Sequence, residues 1–177
     1  MFMKVIFLDF DGVINNWYQF EGVSIENAVI LKNIADKSGA KIVATTSNKY
    51  SLQQCDKVDY YKSIFYNNYA KYLNALGISI YDLTPLVDKN RTLEIKKYIE
   101  EHQIEQYVIL DDELIGEELQ KHQVFIDLYR GLQEEHIIPA INILNGKLGF
   151  YPPSYDRNET PEELNSRIND YYSKIKK

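Results

Sequence analysis

The chain has 177 residues, 45% hydrophobic and 26% charged, which suits a single domain with one core. Its 20 basic against 26 acidic residues give a formal charge of -6, arguing against nonspecific nucleic-acid binding, which needs an excess of Lys and Arg. Lone Cys55 rules out an internal disulfide, and His102, His122 and His136 lie too far apart in the chain for a zinc motif.

The opening "KVIFLDFDGVIN" is an apolar run broken by Asp9 and Asp11. It is too short and too soon charged to span a membrane and has no signal-peptide cleavage pattern, so a cytoplasmic, reducing setting is expected. Ser24 is a predicted N-cap for "IENAVILKNIADKSG", where Ile25, Ala28, Val29 and Ile34 recur at helical spacing and Gly39 marks the end. "AKIVATTS" follows as a second buried strand. Residues 49 to 76 have a helical pattern with a break near Lys57, stopping at Gly77. "ISIYDL" gives a short strand, "RTLEIKKYIEEH" a helix and "QYVILDD" another apolar strand ending in acids. A helix around residues 113 to 121, the strand "QVFID" and the helix "LQEEHIIPAINIL", kinked or shortened by Pro139, complete the body. "GKLGFYPPSYDRN" reads as a connector. In the terminal helix after it, Thr160 is the N-cap, Pro161 the first residue and Glu163 the partner in a capping box.

Strands separated by helices of these lengths predict right-handed crossovers and a three-layer, doubly wound α/β fold with a parallel, Rossmann-like sheet. Three strands end in polar chemistry: Asp9 and Asp11, then Thr45, Thr46 and Ser47, then Asp111 and Asp112. Ligands of such sheets bind outside the carboxyl ends of the strands, so these groups are expected to share one crevice. Two carboxylates about 4 Å apart repel by roughly 4 kcal/mol at an effective dielectric near 20. A cluster of them calls for a cation, and hard oxygen ligands without Cys or His favour Mg2+.

"LDFDGVIN" resembles the first motif of the haloacid dehalogenase (HAD) superfamily, Asp-x-Asp-Gly after a hydrophobic strand. "IVATTSN" is similar to its second motif and "VILDDE" to its acidic fourth. Together with "RTLEIKKYIEEH" and "FIDLYRGLQEEHIIPAINIL", the chain over about residues 4 to 145 resembles the HAD domain of Swiss Army Knife RNA repair proteins. The resemblance implies a HAD-like phosphatase domain over residues 1–145, with a connector and C-terminal helix over 146–177. It implies Asp9 as nucleophile and Asp11 as general acid and base, whose backbone carbonyl also touches the metal. Asp112, with Asp111 beside it, completes the Mg2+ site, and the second acid is favoured as direct ligand. Thr46 contacts the phosphoryl group, with Thr45 the alternative. Lys89 and Arg91 compete as the charge-balancing cation, with Arg91 preferred because it opens a helix. Ser47 and Asn48 are further substrate-binding candidates, and Gly12 permits the tight turn after the acids.

Each assignment has a plainer competitor. Acids at strand ends also make turns or cap helices, and paired threonines also finish strands. Tyr61, Phe65, Tyr69 and Tyr72 read first as an aromatic face packed on the body; with Lys62 and Lys71 interleaved, a base-stacking platform is the sharper alternative. Trp17, Tyr18 and Phe20 either shape the entrance or join the core, and Cys55 reads as inert. Too few residues separate Asp11 from the second strand for an inserted lid, and residues 49 to 88 are too few for a full α/β cap. The expected site is therefore essentially capless.

The leading expectation is a magnesium-dependent phosphomonoesterase that forms an aspartyl-phosphate and acts on a small molecule, a nucleotide or a nucleic-acid end. The alternatives are a non-catalytic phosphate-binding or interaction module and a phosphoacceptor receiver. The receiver fits less well because its acceptor follows the third strand, whereas the Asp-x-Asp pair here follows the first.

Overall fold

The structure is a computed structural model that describes residues 3–16, 22–47 and 69–149. Among these, β1 (Lys4–Leu8), α1 (Ile25–Ser38), β2 (Lys41–Ala44), α2 (Lys71–Ala75), β3 (Ile80–Leu83), α3 (Arg91–His102), β4 (Gln106–Asp111), β5 (Gln123–Phe125) and α4 (Ile137–Leu144) follow in chain order. The strands form one parallel sheet in the order β3-β2-β1-β4-β5. From β1 the chain runs outward through β2 to β3, then returns to lay β4 on the other side of β1. The direction of winding therefore reverses between β1 and β4, where a doubly wound sheet opens its crevice.

Both faces of the sheet are covered, which is why its strands read as continuous apolar runs. Ile6, Leu8, Ile42, Ala44, Val108 and Leu110 pack with Ala28, Leu31 and Ile34 of α1, Leu73 of α2, and Ala140, Ile143 and Leu144 of α4. Val5, Phe7, Val43, Tyr107 and Ile109 pack on the other side with Ile95 and Tyr98 of α3. Phe7 meets Tyr98 and Tyr107 edge-on at 5.7 Å in each case. The expected three-layer α/β fold is thus present in the described residues.

Helix α1 begins and ends as its sequence predicts. The Ser24 hydroxyl accepts from Asn27 N–H at 3.4 Å, and Gly39 takes a left-handed φ of 69°. Its buried face differs from the predicted one, because Asn27, Ala28, Leu31 and Ile34 point inward while Ile25 and Val29 are exposed. The segment 113 to 121 is a correction as well. It contains turns and a short 3-10 helix, Gln120–His122, rather than an α-helix. Side chains take over its backbone groups: Gln123 accepts from Ile115 N–H and donates to the Glu113 carbonyl, and Thr92 accepts from Gly116 N–H.

The last described helix is shorter than expected. A 3-10 turn, Glu134–His136, precedes α4, and Pro139 stands in its first turn, where a missing N–H costs no internal bond. Residues 48–68 and 150–177 lie outside the described residues, and with them most of the expected 49 to 76 helix, the terminal helix, Asn48, Cys55, Tyr61, Lys62 and Phe65. Trp17, Tyr18 and Phe20 do so too. No helix among the described residues is long and apolar enough to cross a membrane.

Candidate functional site

Alternation along the strands decides which side chains meet. Val5 and Phe7 of β1, Val43 of β2, and Tyr107 and Ile109 of β4 all face the α3 layer. Counting two residues onward from Phe7, Val43 and Ile109, Asp9, Thr45 and Asp111 continue those rows. The ladder holds them level. Asp9 N–H donates to the Leu110 carbonyl at 3.0 Å and Thr45 N–H to the Leu8 carbonyl at 2.8 Å.

Helix α3 brings the cation to this row from its first residue. Arg91 Nη1 lies 2.7 Å from Asp9 Oδ2 and 2.7 Å from both carboxylate oxygens of Asp111. The turn before it is held firmly: Asp88 and Lys89 have positive φ values of 50° and 54°, unusual without glycine. Asn90 caps α3 by accepting from Leu93 N–H, and buried Glu94 accepts from Val87 N–H. Lys89 is exposed on this turn, whereas Arg91 reaches the acids.

Asp9, Asp111 and Asp112 each offer a carboxylate oxygen within 4.8 Å of the others. Burial raises the Asp9 carboxyl above its ordinary range, against the pull of Arg91 and of the Phe10 N–H, which donates to Asp9 Oδ1 at 2.8 Å. Burial likewise pushes Asp111 up to about 7. Asp112 rises to about 8 through burial, with Asp111, Asp9 and Glu113 adding like-charge repulsion. Burial alone would lower the Arg91 guanidinium, but Asp111 and Asp9 outweigh it and hold it above its usual value. Three acids that resist ionising together, with only oxygen donors, form a set suited to a divalent cation.

Gly12 makes room for that set. Its φ is 80°, and a Cβ there would lie 2.7 Å from both Cγ and Oδ2 of Asp112. Asp112 approaches the acids only because the loop after β1 has no side chain at this point.

Asp11 belongs to a different set of contacts. Its Oδ1 accepts from Asn15 Nδ2 at 2.9 Å and from the Tyr69 hydroxyl at 2.9 Å, and its carboxylate is not among the three clustered ones. Thr46 is buried and Ser47 exposed, while the Thr45 hydroxyl is buried without a hydrogen-bond partner among the described residues. An orphaned hydroxyl in the same row as Asp9 is a ready donor to an incoming oxyanion.

Asn15 and Tyr69 were not marked as site residues by the sequence. Tyr69 was expected first to pack, with base stacking the alternative, and its ring does lie on Phe10 at 4.9 Å. The seventh residue after a strand carries no motif signal, but an Asn beyond Asp-x-Asp-Gly is a turn-forming residue within reach of the acids. Here its Oδ1 accepts from Gly12 N–H at 2.8 Å, closing the loop on which Asp11 sits.

Residues 5–137 match the family described as the HAD domain in Swiss Army Knife RNA repair proteins. No curated protein and no solved structure matches the chain significantly. The match takes in all five strands, Asp9, Asp11, Arg91, Asp111 and Asp112, and extends over most of the chain. The chain therefore belongs to this family of HAD domains, within the hydrolases of the HAD superfamily.

Proposed function

We propose that this protein is a magnesium-dependent phosphomonoester hydrolase that works through an aspartyl-phosphate on Asp9. The observation that carries the reading is the pairing of a buried Asp9 with Arg91 at 2.7 Å beside two further acids. A buried carboxylate is a competent nucleophile only while ionised, and Arg91 favours the ionised form.

Asp9, Asp111 and Asp112 would hold Mg2+, which when bound supplies positive charge against the phosphoryl oxygens. An oxygen of Asp9 attacks phosphorus, the ester P–O bond breaks, and the departing oxygen takes a proton from Asp11. Asp11, now a carboxylate, accepts a proton from water as that water's oxygen attacks the phosphorus of the aspartyl-phosphate. Inorganic phosphate leaves and Asp9 is restored. Arg91 balances charge on the nucleophile and on the transferring group, and the Thr45 hydroxyl donates to a phosphoryl oxygen.

Membership in a family of RNA repair domains supports a nucleotide or nucleic-acid terminal phosphate as substrate. The net charge of -6 favours recognition of an end over general affinity for the polymer. The test is phosphate release from an aryl phosphate, nucleotides, and 3'- or 5'-phosphorylated oligonucleotides, with Mg2+ or with chelator. Wild type is expected to turn over with Mg2+ only and Asp9→Asn to be inactive. Equal activity of the two proteins rejects the Asp9 mechanism, and inertness across the panel leaves a phosphate-binding module.

A further inference from the structure

Asp11 is gripped from two directions by groups far apart in the sequence. Asn15 reaches it from the same loop, through Nδ2 at 2.9 Å, while its Oδ1 takes the Gly12 N–H at 2.8 Å. Tyr69 reaches it from just before α2, hydroxyl to Oδ1 at 2.9 Å, with its ring buried against Phe10. Both donors meet the same carboxylate oxygen. Asn15 is itself fully buried and held by its backbone, since its carbonyl accepts from Asn27 Nδ2 of α1 at 3.3 Å.

We infer that Tyr69 and Asn15 are positioning residues for proton transfer: they fix the rotation of the Asp11 carboxyl so that its proton-carrying oxygen meets the leaving group. The inference rests on the phosphatase reading given above. A carboxylate that is short and single-bonded to its backbone turns freely unless one oxygen is tied, and two donors on Oδ1 tie it. Phe10, next to Asp9, completes the seat by carrying the ring whose hydroxyl does the tying. The arrangement couples Tyr69, two residues before α2, to the loop after β1.

The consequence is a dependence on the leaving group. When Asp9 attacks and the ester P–O bond breaks, a strongly basic departing oxygen needs the Asp11 proton, whereas a weakly basic one leaves without it. The phosphorus, its oxygens and the Asp9 step are identical in both cases. A residue that acts by aiming Asp11 therefore matters more for the first kind of ester than for the second. A residue needed only for the fold matters equally for both.

The experiment compares kcat/KM for phenyl phosphate and 4-nitrophenyl phosphate, which differ little in shape, in wild type, Tyr69→Phe and Asn15→Asp with Mg2+. Tyr69→Phe keeps the ring on Phe10, and Asn15→Asp keeps the acceptor for Gly12 N–H. The expected result is a fall of roughly tenfold in the phenyl to nitrophenyl ratio in each variant, a part of what general acid catalysis contributes. The ratio is independent of how much of a variant is folded. An unchanged ratio in both variants overturns the inference and leaves the phosphatase reading standing. Wild type that hydrolyses neither ester overturns both.

Discussion

Arg91 sets one nitrogen, Nη1, 2.7 Å from Oδ2 of Asp9, joining the first residue of α3 to the first residue after β1. The same nitrogen touches Asp111. Removing the guanidinium leaves two buried carboxylates without their partner, so Arg91→Ala is expected to cost about 3 to 5 kcal/mol in chelator. Arg91→Lys keeps the charge but loses the planar fork, and falls between. Urea denaturation measures both, and a loss below about 1 kcal/mol for Arg91→Ala would contradict the pairing.

The acid cluster should make metal-free protein less stable as pH rises. Folding lifts Asp111 to about 7 and Asp112 to about 8 from an ordinary carboxylate value of 3.8. Between the unfolded and folded values the native state holds more protons than the unfolded chain, so stability declines with increasing pH across that window. Denaturation midpoints in chelator at pH 5 and pH 8 should fall accordingly, and Asp112→Asn should flatten the dependence. Saturating Mg2+ at pH 8 should restore stability. Midpoints in chelator that rise with pH through this range would count against the cluster.

Gly12→Ala combines two penalties, a side chain at a φ of 80° and a Cβ 2.7 Å from Asp112. The strain alone is worth about 1 kcal/mol. The clash also pushes Asp112 away from Asp9 and Asp111, so Mg2+ binding followed by calorimetry should weaken by more than the stability loss explains. Unaltered Mg2+ affinity in a folded Gly12→Ala protein would show that Asp112 is not a ligand.

Asn27 reports on a different layer of support. Its Nδ2 lies 3.3 Å from the carbonyls of Val13 and Asn15 and 3.4 Å from that of Arg130, clipping the loop after β1 to the one after β5. Asn27→Leu removes the donor these carbonyls share, while Val13 keeps the Leu132 N–H and Arg130 keeps the Gln133 amide, and should cost about 1 kcal/mol in thermal or chemical unfolding. Gly131→Ala should do the same, because a Cβ there would collide with the Asn27 amide. Near-neutral effects of both substitutions would show that the clip is dispensable.

The sheet and the meeting place of the acids were legible because apolar runs that end in Asp or Thr are what buried parallel strands leave behind. Which member of each pair continues the Asp9 row was not. Thr45 against Thr46 and Asp111 against Asp112 differ by one residue, and one residue reverses the face of a strand. The sequence favoured Asp112 as direct ligand and Thr46 as phosphate contact. The register sets Asp111 on Arg91, with Asp112 still inside the cluster, and Thr45 in the Asp9 row. The face of α1 was misjudged for a related reason, since Asn27 is buried for its amide while Ile25 and Val29 face solvent. Tyr69 and Asn15 carry no motif, and their link to Asp11 exists only in three dimensions.

The pairing of β1 with β4 sets Lys4 opposite Gln106 and Leu8 opposite Leu110. On the ribosome, the first strand therefore emerges long before the neighbour that will flank it, with one edge and much of its greasy row unprotected. Parallel pairings across such a span close slowly. Asp9 is translated before its companions Arg91 and Asp111, so its buried pairing forms only once α3 and β4 have been made.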